Sequence, residues 1–226
     1  PGAANVIAYS VRGVTITNAN AIVSRNRIFG HSQRGISHFI LAANNGAQTP
    51  VVTSVVRSAG STTVNGTLVG PAGVQHRLEF FGNAACGPDG TGQGEVFLGD
   101  ALVTTAGATP QPFSAVVSAT ALPVVSATAL GLADPISVST SSFSTCLVPP
   151  TFQISGTVRD RNDTPVPNVP IALAGSSSAN VQTDAEGRYA FPGLAAGGTY
   201  TVTPVRPSFE FSPQSQTFAN LAKDEV

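Results

Sequence analysis

Charge is what this chain has least of. Asp, Glu, Lys and Arg make up only 10% of 226 residues, against roughly 25% in an ordinary soluble domain. The formal net charge is −1. That rules out the basic footprint of a nucleic-acid binder and the polybasic patch of a membrane anchor. Met and Trp are absent, and Lys223 is the one lysine. Trypsin-like proteases therefore find few sites, which suits an extracellular or cell-surface protein. No apolar run approaches the ~20 residues of a membrane span, so no membrane insertion is expected. No leader segment is visible, and a first residue of Pro1 rather than Met points to processing or to a longer parent. Cysteine is scarce too. Cys86 and Cys146 stand far apart with no C-x-x-C, which argues against a metal knuckle or redox motif and for a structural disulfide.

Catalytic chemistry is also thin. Three histidines occur, His31, His38 and His76. A hydrolase needs nucleophile, His and orienting acid within hydrogen-bond reach. No G-x-S-x-G elbow is present, and His76 and Glu79, three apart in a strand, face opposite ways. Asp160, Asp163, Asp184 and Glu186 fall in expected turns, where Asx turns account for them; a calcium site, the other reading, needs six to eight oxygen ligands. Gly87–Gly94 is glycine-rich but lacks the Lys and helix of a phosphate loop. No catalytic residue, metal or cofactor is assigned, and the chain is expected not to be an enzyme. Tyr9, Tyr189 and Phe209 could stack on sugars, although core packing is the commoner use of such residues. Asn65-Gly66-Thr67 and Asn162-Asp163-Thr164 are sequons.

What is abundant is β structure punctuated by turns. Within residues 1–43, Val6-Ile7 realigns with Ile28-Phe29, Ser10 with Ser32, and Arg12-Gly13-Val14 with Arg34-Gly35-Ile36, all at an offset of 22. A period near 22 with short β runs and Asn-rich turns points to coils of a right-handed parallel β-helix; two ordinary hairpins are the alternative. The coil reading points Val6, Val14, Ile16, Ile22, Ile28 and Ile36 inward and places Asn18, Asn20 and Asn26 at turns. After a linker over residues 44–50, strands are expected at Val51–Val56, Thr62–Val69, Arg77–Phe81, Gly94–Leu98, Ala101–Thr105, Phe113–Ala119 and Ile136–Phe143, with Asn65-Gly66 a tight turn or a bulge. Seven strands in about 100 residues is the count of an immunoglobulin-like sandwich. Beyond Pro149-Pro150, strands are expected at Phe152–Val158, Val169–Ala174, Tyr189–Phe191, Gly198–Pro204, Phe209–Pro213 and Gln216–Leu221.

Two resemblances sit on these residues. Asn44-Asn45-Gly46 with Gln48 through Ser54, Gly60 through Leu68, Leu78 through Asn83 with Cys86, Phe97-Leu98-Gly99, and Phe143 through Cys146 resemble bacterial secreted proteins of the CSLREA type. The likeness spans about residues 5–148 and implies a β-helix followed by a sandwich with two cysteines at these places. The Asp-rich loop that precedes the Gln-x-Pro join in that family is missing here, and so is the naming signature, so the resemblance implies location more than activity. Ser155-Gly156-Thr157-Val158, Thr183-Asp184 through Gly187-Arg188-Tyr189, and Gly198 through Val202 resemble carboxypeptidase regulatory-like and collagen-adhesin B-type domains. Those are transthyretin-like sandwiches that act as spacers and stalks. No lysine stands in the first strand, so no isopeptide bond is expected.

The expected fold is all-β: a short parallel β-helix-like segment (1–43), an Ig-like sandwich (44–148) and a transthyretin-like sandwich (149–226). The expected role is a non-enzymatic structural or adhesive surface protein; an accessory region of a larger secreted β-helix enzyme is the alternative. Further copies of the chain, surface glycans and other surface proteins are the partner classes. Head-to-tail assembly by strand complementation would use Val6, Ile7, Tyr9 and Val11 at one end and Phe218, Leu221 and Val226 at the other, because the domains it resembles close with one more strand after Gln216–Leu221.

Overall fold

The computed structural model describes residues 4–17, 21–38, 48–58, 60–132 and 139–226. Asn18, Asn20, the linker positions Asn44, Asn45 and Gly46, and the start of the expected Ile136–Phe143 strand lie outside them. The described regular structure is all β. It divides into two compact units, one of Pro1–Val55 with Ser61–Val148 and one of Val56–Gly60 with Pro149–Val226. The segments expected as 1–43 and 44–148 thus fall into the same unit.

The first unit opens with four three-residue strands, β1 (Val6–Ala8), β2 (Val14–Ile16), β3 (Arg27–Phe29) and β4 (Ile36–His38). β1 pairs with β3 and β2 with β4, both parallel. A two-residue hairpin cannot join parallel neighbours, so the hairpin alternative falls and the chain winds in stacked coils. The β2–β4 register, Val14 on Ile36, has the expected offset of 22. The β1–β3 register does not: Val6 pairs with Arg27 and Ile7 with Ile28, an offset of 21. The second coil takes up one more residue at Arg34: Gln33 N–H still bonds the Val11 carbonyl in the 21 register, whereas Gly13 N–H bonds the Arg34 carbonyl in the 22 register. A one-residue slip turns each side chain to the other face. Ile7 therefore points inward beside Ile16, Ile28, Ile36 and Val14, whereas Val6, expected inside, is 59% exposed. Ile22 is exposed as well, its place taken by Ala21 and Val23. Asn26 does stack, its Oδ1 accepting from Asn5 Nδ2 at 3.2 Å.

Next come β5 (Val51–Ser58), β6 (Ser61–Gly70), β7 (Gln75–Asn83), β8 (Val96–Thr104), β9 (Gly107–Ser118) and β10 (Val124–Gly131). They form two antiparallel-paired sheets, β5-β6-β9 and β10-β7-β8. Leu78, Phe80, Leu98 and Ala127 from one sheet meet Val64, Leu68, Phe113 and Val117 from the other to make the main core. The opposite face of β7 carries Phe81, which packs with Ile16, Ile28, Ile36 and Phe143 in a second core under the coils. The β10-β7-β8 sheet is thus covered on both faces. Asn65-Gly66 is neither turn nor bulge. β6 runs straight through, and a Cβ on Gly66 would lie 2.5 Å from the Phe113 ring. The two expected strands at 94–98 and 101–105 are one, β8, with a register shift opposite Phe80 and Phe81. In place of the expected Ile136–Phe143 strand, residues 139–147 run irregularly along β10. Ser141 and Ser144 hydroxyls accept the Ala129 and Ala127 N–H groups at 2.9 and 3.0 Å.

The second unit holds β11 (Thr151–Thr157), β12 (Pro170–Gly175), β13 (Ala179–Gln182), β14 (Arg188–Ala195), β15 (Tyr200–Pro204) and β16 (Gln216–Phe218). β11 pairs with β14, facing a sheet of order β13-β12-β15-β16. Ile154, Ile171, Leu173, Phe191, Tyr200 and Val202 fill the space between. Residues 209–213 form no strand; Phe209 and Phe211 stack instead, ring centroids 6.3 Å apart.

Candidate functional site

The polar residues of the first unit gather where the coils meet the β10-β7-β8 sheet. The alternation of β7 that sends Leu78 and Phe80 into the sandwich sends Glu79 toward the coils, where it is 1% exposed. Its carboxylate accepts from the Ser24 hydroxyl and, at 2.9 Å, from the Arg25 N–H, and it lies 3.4 Å from Arg77 Nε. Burying a carboxylate is costly unless it is paired and hydrogen-bonded, and here both conditions are met. Arg25 in turn reaches Asp100 at 2.8 Å and lies over the Phe97 ring.

The three histidines do similar work. His31 donates from Nε2 to the Ile7 carbonyl at 3.1 Å, and its Nδ1 accepts the Ser10 N–H at 3.3 Å. His38 donates from Nε2 to the Thr140 carbonyl and pairs through Nδ1 with Ser142. Burial holds its pKa below the usual histidine value, against the pull of the Thr140 carbonyl and with help from Arg34. His76 donates from Nδ1 to the Val74 carbonyl, and burial lowers its pKa in the same way. Gln93 clamps the second coil, accepting from His31 N–H at 2.9 Å and donating to the His31 and Gln33 carbonyls. Asn83 Oδ1 takes the Gln93, Gly94 and Glu95 N–H groups. Sequence reading missed Asn83, Gln93 and Glu79 as docking residues. Their only signal was polarity inside β runs.

The glycine-rich loop is tied down by backbone bonds. Gly92 N–H donates to the Ser144 carbonyl and Cys146 N–H to the Gly90 carbonyl, both at 2.9 Å. The two cysteines, Cys86 and Cys146, stand at its base as neighbouring thiols. Burial, with the neighbouring Cys86, pushes the Cys146 thiol up to about 12. At the loop tip, Asp89 meets Arg34 at 2.8 Å.

The residues expected to form an assembly surface separate. Tyr9 (81% exposed), Val6 and Val11 stand free on the first coil, and Val226 is 96% exposed. Ile7 and Phe218 are half-buried against their own cores. Leu221, 2% exposed, belongs to the core of the second unit and is not available to a partner. The open edge expected near the carboxyl end is partly filled from within, since Glu225 pairs in parallel with Ile154 and accepts the Ser155 N–H at 2.9 Å. In the turns, Asp160 Oδ1 accepts from Asn162 and Thr164 N–H, and Asp184 Oδ1 from Glu186 and Arg188 N–H. Among the described residues no group of three or more His, Cys, Asp or Glu is placed to hold a metal.

Residues 153–225 match the carboxypeptidase regulatory-like domain. Over 70 residues, 30% of this chain, the sequence is 39% identical to the chitinase ChiA of Flavobacterium johnsoniae, and the match spans only 4% of that protein. Among solved structures, the full-length major pilin SpaD of Corynebacterium diphtheriae overlaps 82% of this chain and 61% of its own at 7% identity and a TM-score of 0.33. The Bacillus cereus major pilin BcpA overlaps 76% and 62% at 10% identity and a TM-score of 0.32. These overlaps are too loose to define a shared fold.

Proposed function

We propose that this chain is a non-catalytic structural or adhesive part of a bacterial surface protein. The observation that carries the reading is how its reactive groups are used. Glu79 fastens the coils to β7, His31 ties one coil to the other, His38 ties β4 to Thr140, Asn83 holds residues 93–95 and Gln93 holds the second coil, largely through backbone groups. A base or nucleophile committed in this way is a poor catalyst, because it must be free to move a proton at a substrate. The low charge and the regulatory-like match over 153–225 support a spacer outside the cell. The CSLREA-type likeness of residues 5–148 belongs to the same reading. Protease shaving of intact source cells tests it: peptides of this chain released without lysis would support a surface role, and recovery only from lysed cells would overturn it.

Assembly is the finer part. The edge of β1 away from β3 and the exposed Val6, Tyr9 and Val11 offer a place for another strand. With Leu221 buried and Glu225 already on β11, the other end has less to give than the sequence implied. Light scattering on native protein tests self-association: growth with concentration supports it, and a monomer at high concentration removes it. The stretch shared with a chitinase favours a second reading, an accessory region of a larger secreted carbohydrate-active enzyme. Intact mass and end sequences of the native protein separate the two.

A further inference from the structure

The coil surface carries a groove that the fastening network leaves unexplained. One part, of about 540 Å³, lies over β2 and β4 between Arg12, Arg34 and His38. A second, of about 520 Å³, lies below Tyr9 and Phe29. Ser32 and Pro88 line both, so the two parts adjoin.

Three features of this groove bear on what it holds. Each arginine has its Nε edge occupied by the protein: Arg12 by Gln33 Oε1 at 2.6 Å, Arg34 by Asp89 Oδ2 at 2.8 Å. Held at Nε, a guanidinium still has its terminal N–H groups to offer, and these suit a carboxylate or sulfate. In the part over β2 and β4, Asp89 balances one of the two charges and neutral Gln33 leaves the other, so Arg12 leaves that part short of one negative charge; Glu95 lines the part below Tyr9. Next, Thr15 and Ser37 stack across the coils with hydroxyls 3.3 Å apart, a short ladder of groups that can both donate and accept. Finally, Tyr9 is held in the left-handed region (φ 58) with its ring exposed and braced edge-on by Phe29 at 5.5 Å. Such backbone strain in a bulky residue persists only where the surroundings impose it.

The geometry points to an extended acidic polysaccharide as the ligand of this groove, its carboxylates or sulfates on Arg12 and Arg34, its hydroxyls on the Thr15–Ser37 ladder and one sugar face on Tyr9. A peptide is the weaker fit. Peptides gain most of their affinity from strand edges, whereas this groove runs over side chains that stand out from paired strands. The inference deepens the surface reading by giving it a ligand class.

Calorimetry with oligogalacturonate, a sulfated oligosaccharide, a neutral gluco-oligosaccharide and a poly-Glu peptide tests it on the whole chain. Expected is binding of either acidic glycan that weakens with added salt, with little or none for the neutral one. Arg12→Ala should weaken it about tenfold or more, as loss of a charge-assisted pair predicts. Tyr9→Ala should weaken it as well while leaving salt dependence unchanged. Arg161→Ala, which removes an equal charge from the other unit, should have no effect. Both groove residues are exposed, and unchanged thermal melting will show that the variants fold. Equal binding of the neutral glycan, equal binding of poly-Glu, no binding at all, or the same loss on Arg161→Ala would each overturn the assignment. A groove that binds no glycan would leave the surface role standing, because protease shaving tests that role separately.

Discussion

Glu79 accepts the backbone N–H of Arg25 at 2.9 Å across 54 positions of sequence. This one bond joins the turn between two coils to β7, a strand of the sandwich. Replacing Glu79 with Ala would leave the Arg25 amide and the Ser24 hydroxyl without their acceptor and the Arg77 guanidinium without its counter-charge. Breaking one partner of a buried pair typically costs about 3 kcal/mol or more. Urea unfolding of Glu79→Ala should show that loss, and Glu79→Gln, which keeps one acceptor oxygen, a smaller one. Equal stability of Glu79→Ala and wild type would mean the coils are not docked through this group.

Acid should loosen the first unit before it protonates most carboxylates. Burial holds His38 and His76 below the ordinary value of 6.5, so the fold keeps both neutral. In the unfolded chain they take up protons near that value, and there the unfolded state binds more. Their contribution is therefore complete above about pH 6.5 and is lost as pH falls through the lower folded values. The midpoint of thermal unfolding should drop between neutral and mildly acid pH. The double variant His38→Gln/His76→Gln should flatten that slope.

Cys86 neighbours Cys146 closely enough to shift its thiol, which makes a bond between them a direct proposal. Oxidised protein should lose two hydrogens by mass and give one cross-linked peptide pair. Closing a loop of about 60 residues should add about 4 kcal/mol of stability on the chain-entropy model. In the reduced form, exposed Cys86 should alkylate first. Cys146, held protonated by burial, should react slowly. Two free thiols in protein taken from its native source would exclude the bond.

The Asp184 turn offers a local test in the second unit. Its Oδ1 takes two backbone N–H groups, at 3.0 and 2.7 Å. Asp184→Ala should cost about 1–2 kcal/mol, the typical value of such bonds, while Asp184→Asn should retain most of the stability. Because the Asx geometry accounts for the oxygen, added calcium should leave the melting temperature of both proteins where it was.

The strands that read most clearly were those with one buried face. β6 alternates strictly, and its boundaries stood within a residue of expectation. β10 was invisible because the coils and the sandwich bury both its faces, so Val124–Gly131 has no alternation, and its Ala, Ser and Thr look like loop residues. The coil repeat was legible as a period, but not its inner face. With the extra residue taken up only at Arg34, β1 pairs at 21 with Val6 out and Ile7 in, and only the pairing register decides that. The groove was half visible. Tyr9 stood out as a possible sugar platform, but nothing in the spacing shows that Asp89 would reach Arg34 or that Gln33 would hold Arg12.

The hydroxyl-lined stretch beside β10 has a wider consequence. Because Ser141 and Ser144 satisfy that edge with side chains, residues 139–147 need not keep the pitch of a strand. They are free to bend toward whatever else needs holding. Thr140 meets Ala21 and Val23 as well as His38, and Ser144 and Cys146 meet the glycine-rich loop. One irregular segment thus acts as a common latch for sheet, coil and loop. A single cut within it would release all three together.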